Sequence, residues 1–274
     1  MHSDPILSRI VPVLAEVRGI EAITLGGSRA RGTANASSDY DIGLYFSSAQ
    51  PLDTDRLLQA VRTLVDHPDT AEVTPVGGWG PWIVGGAWLE VDGRKADLLY
   101  RNLDDVGRVI DDCRKGEITM DYQPGHPHGF CSAIWMGEVA LCRPLADPGG
   151  SLAALKAKTS SYPKQLGEAL IKRFHWEPSF AIDNAEIALA RGEQTHIAGC
   201  AYRALACTAQ VLFALNGRYL INEKGALQEA ANFPKTIPDL VPRVAEIWRS
   251  IGDQDFPHAL SCLRSLDRDL KALT

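Results

Sequence analysis

The chain of 274 residues lacks several features that would narrow its class at once. Its six cysteines, Cys113, Cys131, Cys142, Cys200, Cys207 and Cys262, form no CxxC pair and no zinc-type spacing, which fits reduced thiols better than a disulfide framework. No window reads as long enough and apolar enough for a membrane span. The opening stretch MHSDPILSRIVPVLAEV has early charges and helical spacing where a leader would carry a basic cap and an apolar core. The expectation is a cytoplasmic protein without a membrane partner. Fixed-period repeats and low-complexity tracts are also missing.

Basic residues are scarce in the front half. Residues 1–150 hold 13 Lys+Arg against 21 Asp+Glu, net −8, whereas residues 151–274 hold 15 against 13, net +2. A broad nucleic-acid footprint needs a basic face to neutralise phosphates, so this balance argues against one. It leaves room for a small phosphate ligand held by a metal. With 45% hydrophobic and 23% charged residues, the chain is long enough for two modest domains.

The order of elements follows from periodicity. Apolar residues from Pro5 to Val17 recur at helical spacing, EAITL reads as a strand, GGSRARG as a turn opening a short helix at Ser28, and SDYDIGLYF as a second strand. DTDRLLQAVRTLV is a helix with an aspartate at its start. AWLEV and KADLLYR form a hairpin through Asp-Gly, and LDDVGRVIDDCRKG is a further helix. From about Ser151 strand signals vanish and helices follow one another. The expected fold is therefore an α/β domain with a small mixed sheet over 1–145 and an all-α helical bundle over 146–274, joined at the Pro-Gly-rich RPLADPGGS.

Aspartate is disfavoured in strands, yet DYD sits at the head of one. Residues two apart on a strand share a face, so Asp39 and Asp41 project together, opposite Tyr40 and Ile42. Two such carboxylates repel unless a cation lies between them, and Mg²⁺ favours these ligands; the alternative is a turn with both aspartates solvated. Asp97 repeats the anomaly in an otherwise apolar strand. Gly26 and Gly27 allow close backbone approach to an anion, and Ser28 adds a hydroxyl. Together these residues suggest attack at phosphorus.

GGS, the eleven positions from Ser28 to Asp39, DYD, and the later strand with Asp97 resemble the nucleotidyltransferase superfamily that includes DNA polymerase beta and the antibiotic nucleotidyltransferases. The helical remainder is similar in architecture and length to the C-terminal domains of aminoglycoside and lincosamide nucleotidyltransferases. The resemblance implies an adenylyltransferase: Gly27, Ser28 and Arg31 or Arg29 contact the triphosphate of ATP or another NTP, and Lys224 adds a phosphate-facing cation. Asp39 and Asp41 ligate Mg²⁺. Asp97 completes the metal set or accepts the proton of a hydroxylated small-molecule acceptor. Antibiotic resistance is one role it implies; AMP transfer to a protein or an RNA end, and a noncatalytic nucleotide-binding module, are the alternatives.

Glu117 and Glu138 are further candidates for the general base. His126 and His128 are candidate substrate contacts or ligands of a softer metal, against an ordinary surface pair. Trp79, Trp82, Trp88, Trp135 and Trp176 are candidates for an acceptor pocket, against core positions. Arg191 to His196, RGEQTH, resembles the ribonuclease motif of HEPN domains, but Gly192 departs from it and favours a helix boundary. The oligomeric state is open, a homodimer included.

Overall fold

The Asp4 carboxylate accepts hydrogen bonds from the backbone N–H groups of Ile6 and Leu7 and so starts α1, Pro5–Ala15. This is a computed structural model, which describes residues 4–274; residues 1–3, the head of the stretch read against a leader, lie outside the described residues. After α1 come β1 (Ala22–Leu25), α2 (Gly27–Arg31), β2 (Tyr40–Phe46), α3 (Thr54–Arg62), β3 (Gly86–Val91), β4 (Arg94–Asn102) and α4 (Leu103–Arg114). Then β5 (Met120–Asp121), β6 (Phe130–Cys131), α5 (Ile134–Leu141), β7 (Arg143–Ala146) and α6 (Ser151–Thr159) precede a run of helices. These are α7 (Lys164–Phe174), α8 (Glu177–Ala188), α9 (Gln194–Leu215), α10 (Ala226–Ala230), α11 (Leu240–Gly252) and α12 (Phe256–Ala272).

The architecture is a mixed β-sheet domain followed by an all-α helical bundle. Five strands lie in the order β3-β4-β2-β1-β7; β2 and β4 run parallel and the other neighbours antiparallel. Strand alternation divides the sheet into two faces. Tyr40, Ile42, Leu44 and Phe46 of β2 join Ala96, Leu98 and Tyr100 of β4 and Ala87, Leu89 and Val91 of β3 in one core beneath α1 and α3. The opposite face carries Asp41, Tyr45, Asp97 and Arg101.

The β3–β4 turn is latched from outside. Asp92 and Gly93 both have positive φ, the conformation of a tight hairpin turn, and the Asp66 carboxylate accepts from both their N–H groups at 2.9 and 2.7 Å. Those bonds hold the Asp66 carboxyl below the usual range. Arg9 pairs with Asp92 and donates to the Leu64 carbonyl, tying α1 to the same corner.

Cα proximity divides the chain into two units that interleave in sequence. One comprises the chain up to Asp111 with Tyr122–Gly125 and Trp135–Ser161; the other comprises Asp112–Asp121, His126–Ile134 and Tyr162–Thr274. The boundary expected at 145/146 falls within β7, in the segment read as a junction. Pro144 made that segment look like a linker, but β7 is an edge strand, where a residue without an N–H is tolerated. α6, expected to open the bundle, belongs with the sheet: the Lys156 ammonium donates to the Val139, Ala140 and Cys142 carbonyls at the end of α5, and Leu152 packs with Tyr45.

In the same unit, Arg101 is 2% exposed and pairs with Glu138 of α5 at 2.6 Å, its guanidinium over the Trp135 ring. Glu138 is therefore committed to this ion pair, which counts against it as general base. Trp135 is a core residue.

In the other unit α9 is the central helix, packed by α7, α8, α10, α11 and α12. By length and composition it could cross a membrane, contrary to the sequence reading that no window was long and apolar enough; most of its apolar stretch is buried by its neighbours. Gly192, with φ +62, ends the turn before α9, as expected for RGEQTH. His128 is not a surface residue. Its ring lies 3.4 Å from the Cys207 sulfur and beside Phe174, and its backbone N–H donates to the Glu223 carboxylate. Glu177, 2% exposed, is held between Arg173 and Arg203 and accepts from Cys207. Burial, helped by the Arg203 charge, depresses the His128 pKa, and burial together with the Glu177 carboxylate pushes the Cys207 thiol up against the pull of Arg203.

Replacing Glu138 by Gln leaves the Arg101 charge buried without its partner and should cost about 3 kcal/mol in thermal or urea unfolding; an Arg101→Met/Glu138→Leu double variant should recover most of that loss. His128 gives the opposite dependence from a paired histidine. Its folded pKa lies below its unfolded value of about 6.5, so its contribution is intact above that pH and is lost as pH falls towards the folded pKa, at up to about 1.4 kcal/mol per pH unit. Urea unfolding followed by circular dichroism between pH 7.5 and 5 should show the decline, and His128→Phe should flatten it.

Candidate active site

Asp41 and Asp97 face each other across the parallel β2–β4 pair. Same-register residues on neighbouring strands project from one face about 4.8 Å apart, so the two carboxylates stand side by side opposite the hydrophobic core. Asp97 is also flanked by Trp88 of β3 in the register of the hairpin. Asp39 precedes the first ladder residue of β2 and is exposed.

The glycine turn closes onto this pair. The Gly26 N–H donates to the Asp41 carbonyl at 2.7 Å, which docks the start of α2 against β2. Gly27 has φ +58, and a Cβ there would stand 1.8 Å from Asp41 Oδ2. Only glycine suits both the backbone conformation and the approach of the carboxylate. Ser28 follows, half-buried, and Arg31 is exposed at the end of α2.

Arg29 has a different task from the phosphate contact expected of it or Arg31. Its guanidinium donates to the Ser38 carbonyl at 2.7 Å and to the Asp39 carbonyl at 3.1 Å, and it lies 3.8 Å from the centre of the Tyr40 ring. It thus fixes the backbone that carries Asp39. The Tyr40 hydroxyl donates to Asp4, and burial together with that acidic partner raises its pKa.

Asp39 and Asp97 line a cleft of about 450 Å³ with Trp88, Glu90, Lys95 and His67 among its walls. Trp88 is 73% exposed and stacks on Trp79 at 4.5 Å between ring centroids, so this pair is an open aromatic surface. Glu90, Lys95 and His67 were not singled out from the sequence. The alternation that revealed Asp97 also places Lys95 on its face, and Glu90 is the cross-strand partner of Lys95.

Asp39, Asp41 and Asp97 are hard oxygen donors of the kind Mg²⁺ takes, and the shared register of two of them suits a ligand pair. Among the described residues, however, no three His, Cys, Asp or Glu side chains form a ready metal centre. Lys224 and Glu117 belong to the helical unit. Lys224 is exposed, in a turn where its N–H donates to Asn222, and Glu117 is exposed after α4. His126 packs edge-on against Phe130 in that unit, His128 is the buried histidine described above, and Trp176 is exposed immediately before α8.

No curated protein matches the chain. Among solved structures, a nucleotidyltransferase-like protein from Exiguobacterium sibiricum 255-15 is similar over 94% of this chain and 71% of its own, with a TM-score of 0.41 and 10% sequence identity. Residues 7–79 match the family model described as Nucleotidyltransferase domain, a stretch that contains Gly27, Ser28, Arg31, Asp39 and Asp41 and ends before β3. The sheet unit therefore carries a nucleotidyltransferase domain, and the chain is an enzyme of that transferase type.

Proposed function

We propose that the chain moves a nucleoside monophosphate, AMP from ATP, to a hydroxyl of a small acceptor molecule. The observation that supports this most strongly is the pairing of Asp41 with Asp97 in register, with Gly27 closed against Asp41. Mg²⁺ bound by Asp39, Asp41 and Asp97 would compensate the triphosphate charge and stabilise departing pyrophosphate. Gly27 leaves a phosphate room to approach the backbone, the Ser28 hydroxyl donates to a phosphate oxygen, and Arg31 adds positive charge. The acceptor oxygen forms a bond to the α-phosphorus as the bond to the bridging oxygen of pyrophosphate breaks. The hydroxyl proton passes to Asp97 where that carboxylate is not fully engaged as a ligand.

The cleft suits an acceptor of modest size, since about 450 Å³ is a small-molecule volume. Its acidic walls, Asp39, Glu90 and Asp97 against Lys95, favour a cationic and hydroxylated acceptor, for which an aminoglycoside-like antibiotic is one model. Arg29 contributes by positioning Asp39.

Incubation with ATP, Mg²⁺ and a panel of hydroxylated antibiotics and metabolites should yield pyrophosphate and an acceptor heavier by one AMP. Asp41→Asn should lower the rate by about 10²–10³-fold while the protein stays folded. No product from any acceptor, or a product made equally well by Asp41→Asn, overturns the reading. Gly27→Ala should displace the Asp41 carboxylate and weaken Mg²⁺-dependent ATP binding about 10-fold or more in isothermal titration.

A further inference from the structure

We propose that the helical unit holds a second small-molecule site, a pocket for an organic monocation with an apolar body. The pocket, about 480 Å³, lies between α9, α10 and α11. That volume is in the range of small-ligand cavities, and its walls are chiefly apolar, with Leu205 and Leu227 among them. Two of the protein's exposed large hydrophobic residues, Val241 and Trp248, belong to it, about two turns apart on one side of α11.

Its charge is concentrated at one point, beside the polar Gln228 and the Tyr202 hydroxyl. Glu223 is the only charged residue in the lining, and it is held in place because its carboxylate accepts the His128 backbone N–H at 3.1 Å. Tyr202 and Trp248 supply aromatic rings to the same walls. A single fixed carboxylate and two aromatic rings in a chiefly apolar pocket match an alkylammonium or quaternary ammonium group, attracted by the charge and by the ring faces. An anion would meet Glu223 with repulsion, and a neutral apolar molecule would leave its charge without compensation. The neighbouring Lys224 does not line the pocket.

Isothermal titration of the full chain with hexyltrimethylammonium, hexanol and hexanoate, each below its aggregation concentration, tests this. The cation should bind saturably with one site, about 10-fold or more tighter than hexanol, and hexanoate should not bind. Glu223→Gln retains an acceptor for the His128 N–H and should weaken cation binding about 10-fold; Trp248→Leu, at a partly exposed position, should weaken it severalfold. Asp41→Asn should bind the cation as the parent does, which separates this pocket from the acidic cleft of the sheet unit. Equal binding of the three probes, full binding by Glu223→Gln, loss of binding in Asp41→Asn, or no saturable binding at millimolar cation would overturn the proposal.

Discussion

The parallel pairing of β2 with β4 is the constraint on which the site depends. It sets Asp41 beside Asp97 because their neighbours Tyr40, Ile42, Ala96 and Leu98 must lie in the core on the other side. Two carboxylates at strand spacing repel by about 3 kcal/mol at an effective dielectric near 20. That cost is offset by burial of the opposite face, and a one-residue slip of either strand would turn that strand's acid into the core. The register is secured from outside the pair by the Asp66 latch on the hairpin turn and by Arg9 at the same corner.

The two faces of the sheet thus have distinct physical roles. One is continuous hydrocarbon and supplies stability. The other is apolar only at one end, where Tyr45 packs with Cys142 and Leu152, and polar at the other. Beside Tyr45, its partner in the β2–β4 register, Arg101 requires Glu138, so even the supporting half of that face includes a buried charge with one partner. The helical unit follows similar logic: Glu177 is tolerated in its interior because Arg173 and Arg203 both reach it.

Much of this was legible in the sequence where local and tertiary preferences agree. α1 begins at its aspartate cap, α3 at Asp53, and the hairpin turns at Asp92–Gly93, each set by short-range chemistry. The acids of β2 and β4 stood out because propensity argued against them. Other elements were invisible for physical reasons. β7 contains a proline and gains its pairing only from a distant strand, and α5 is apolar on most sides, so no amphipathic stripe marks it. The burial of His128 depends on α7 and α9 arriving from elsewhere in the chain, and Arg29's tie to Ser38 and Asp39 is a loop closure that no periodicity encodes. Asp39 itself was readable as a neighbour of Asp41, but not as a residue outside the ladder.

The contact between Gly27 and the Asp41 carboxylate has an evolutionary corollary. The two positions cannot drift independently: any lineage that keeps an acid at 41 is barred from acquiring a side chain at 27, whereas one that loses the acid is released from that prohibition. Substitution at 27 among descendants of this chain would therefore mark abandonment of the chemistry, even where every other ligand survives.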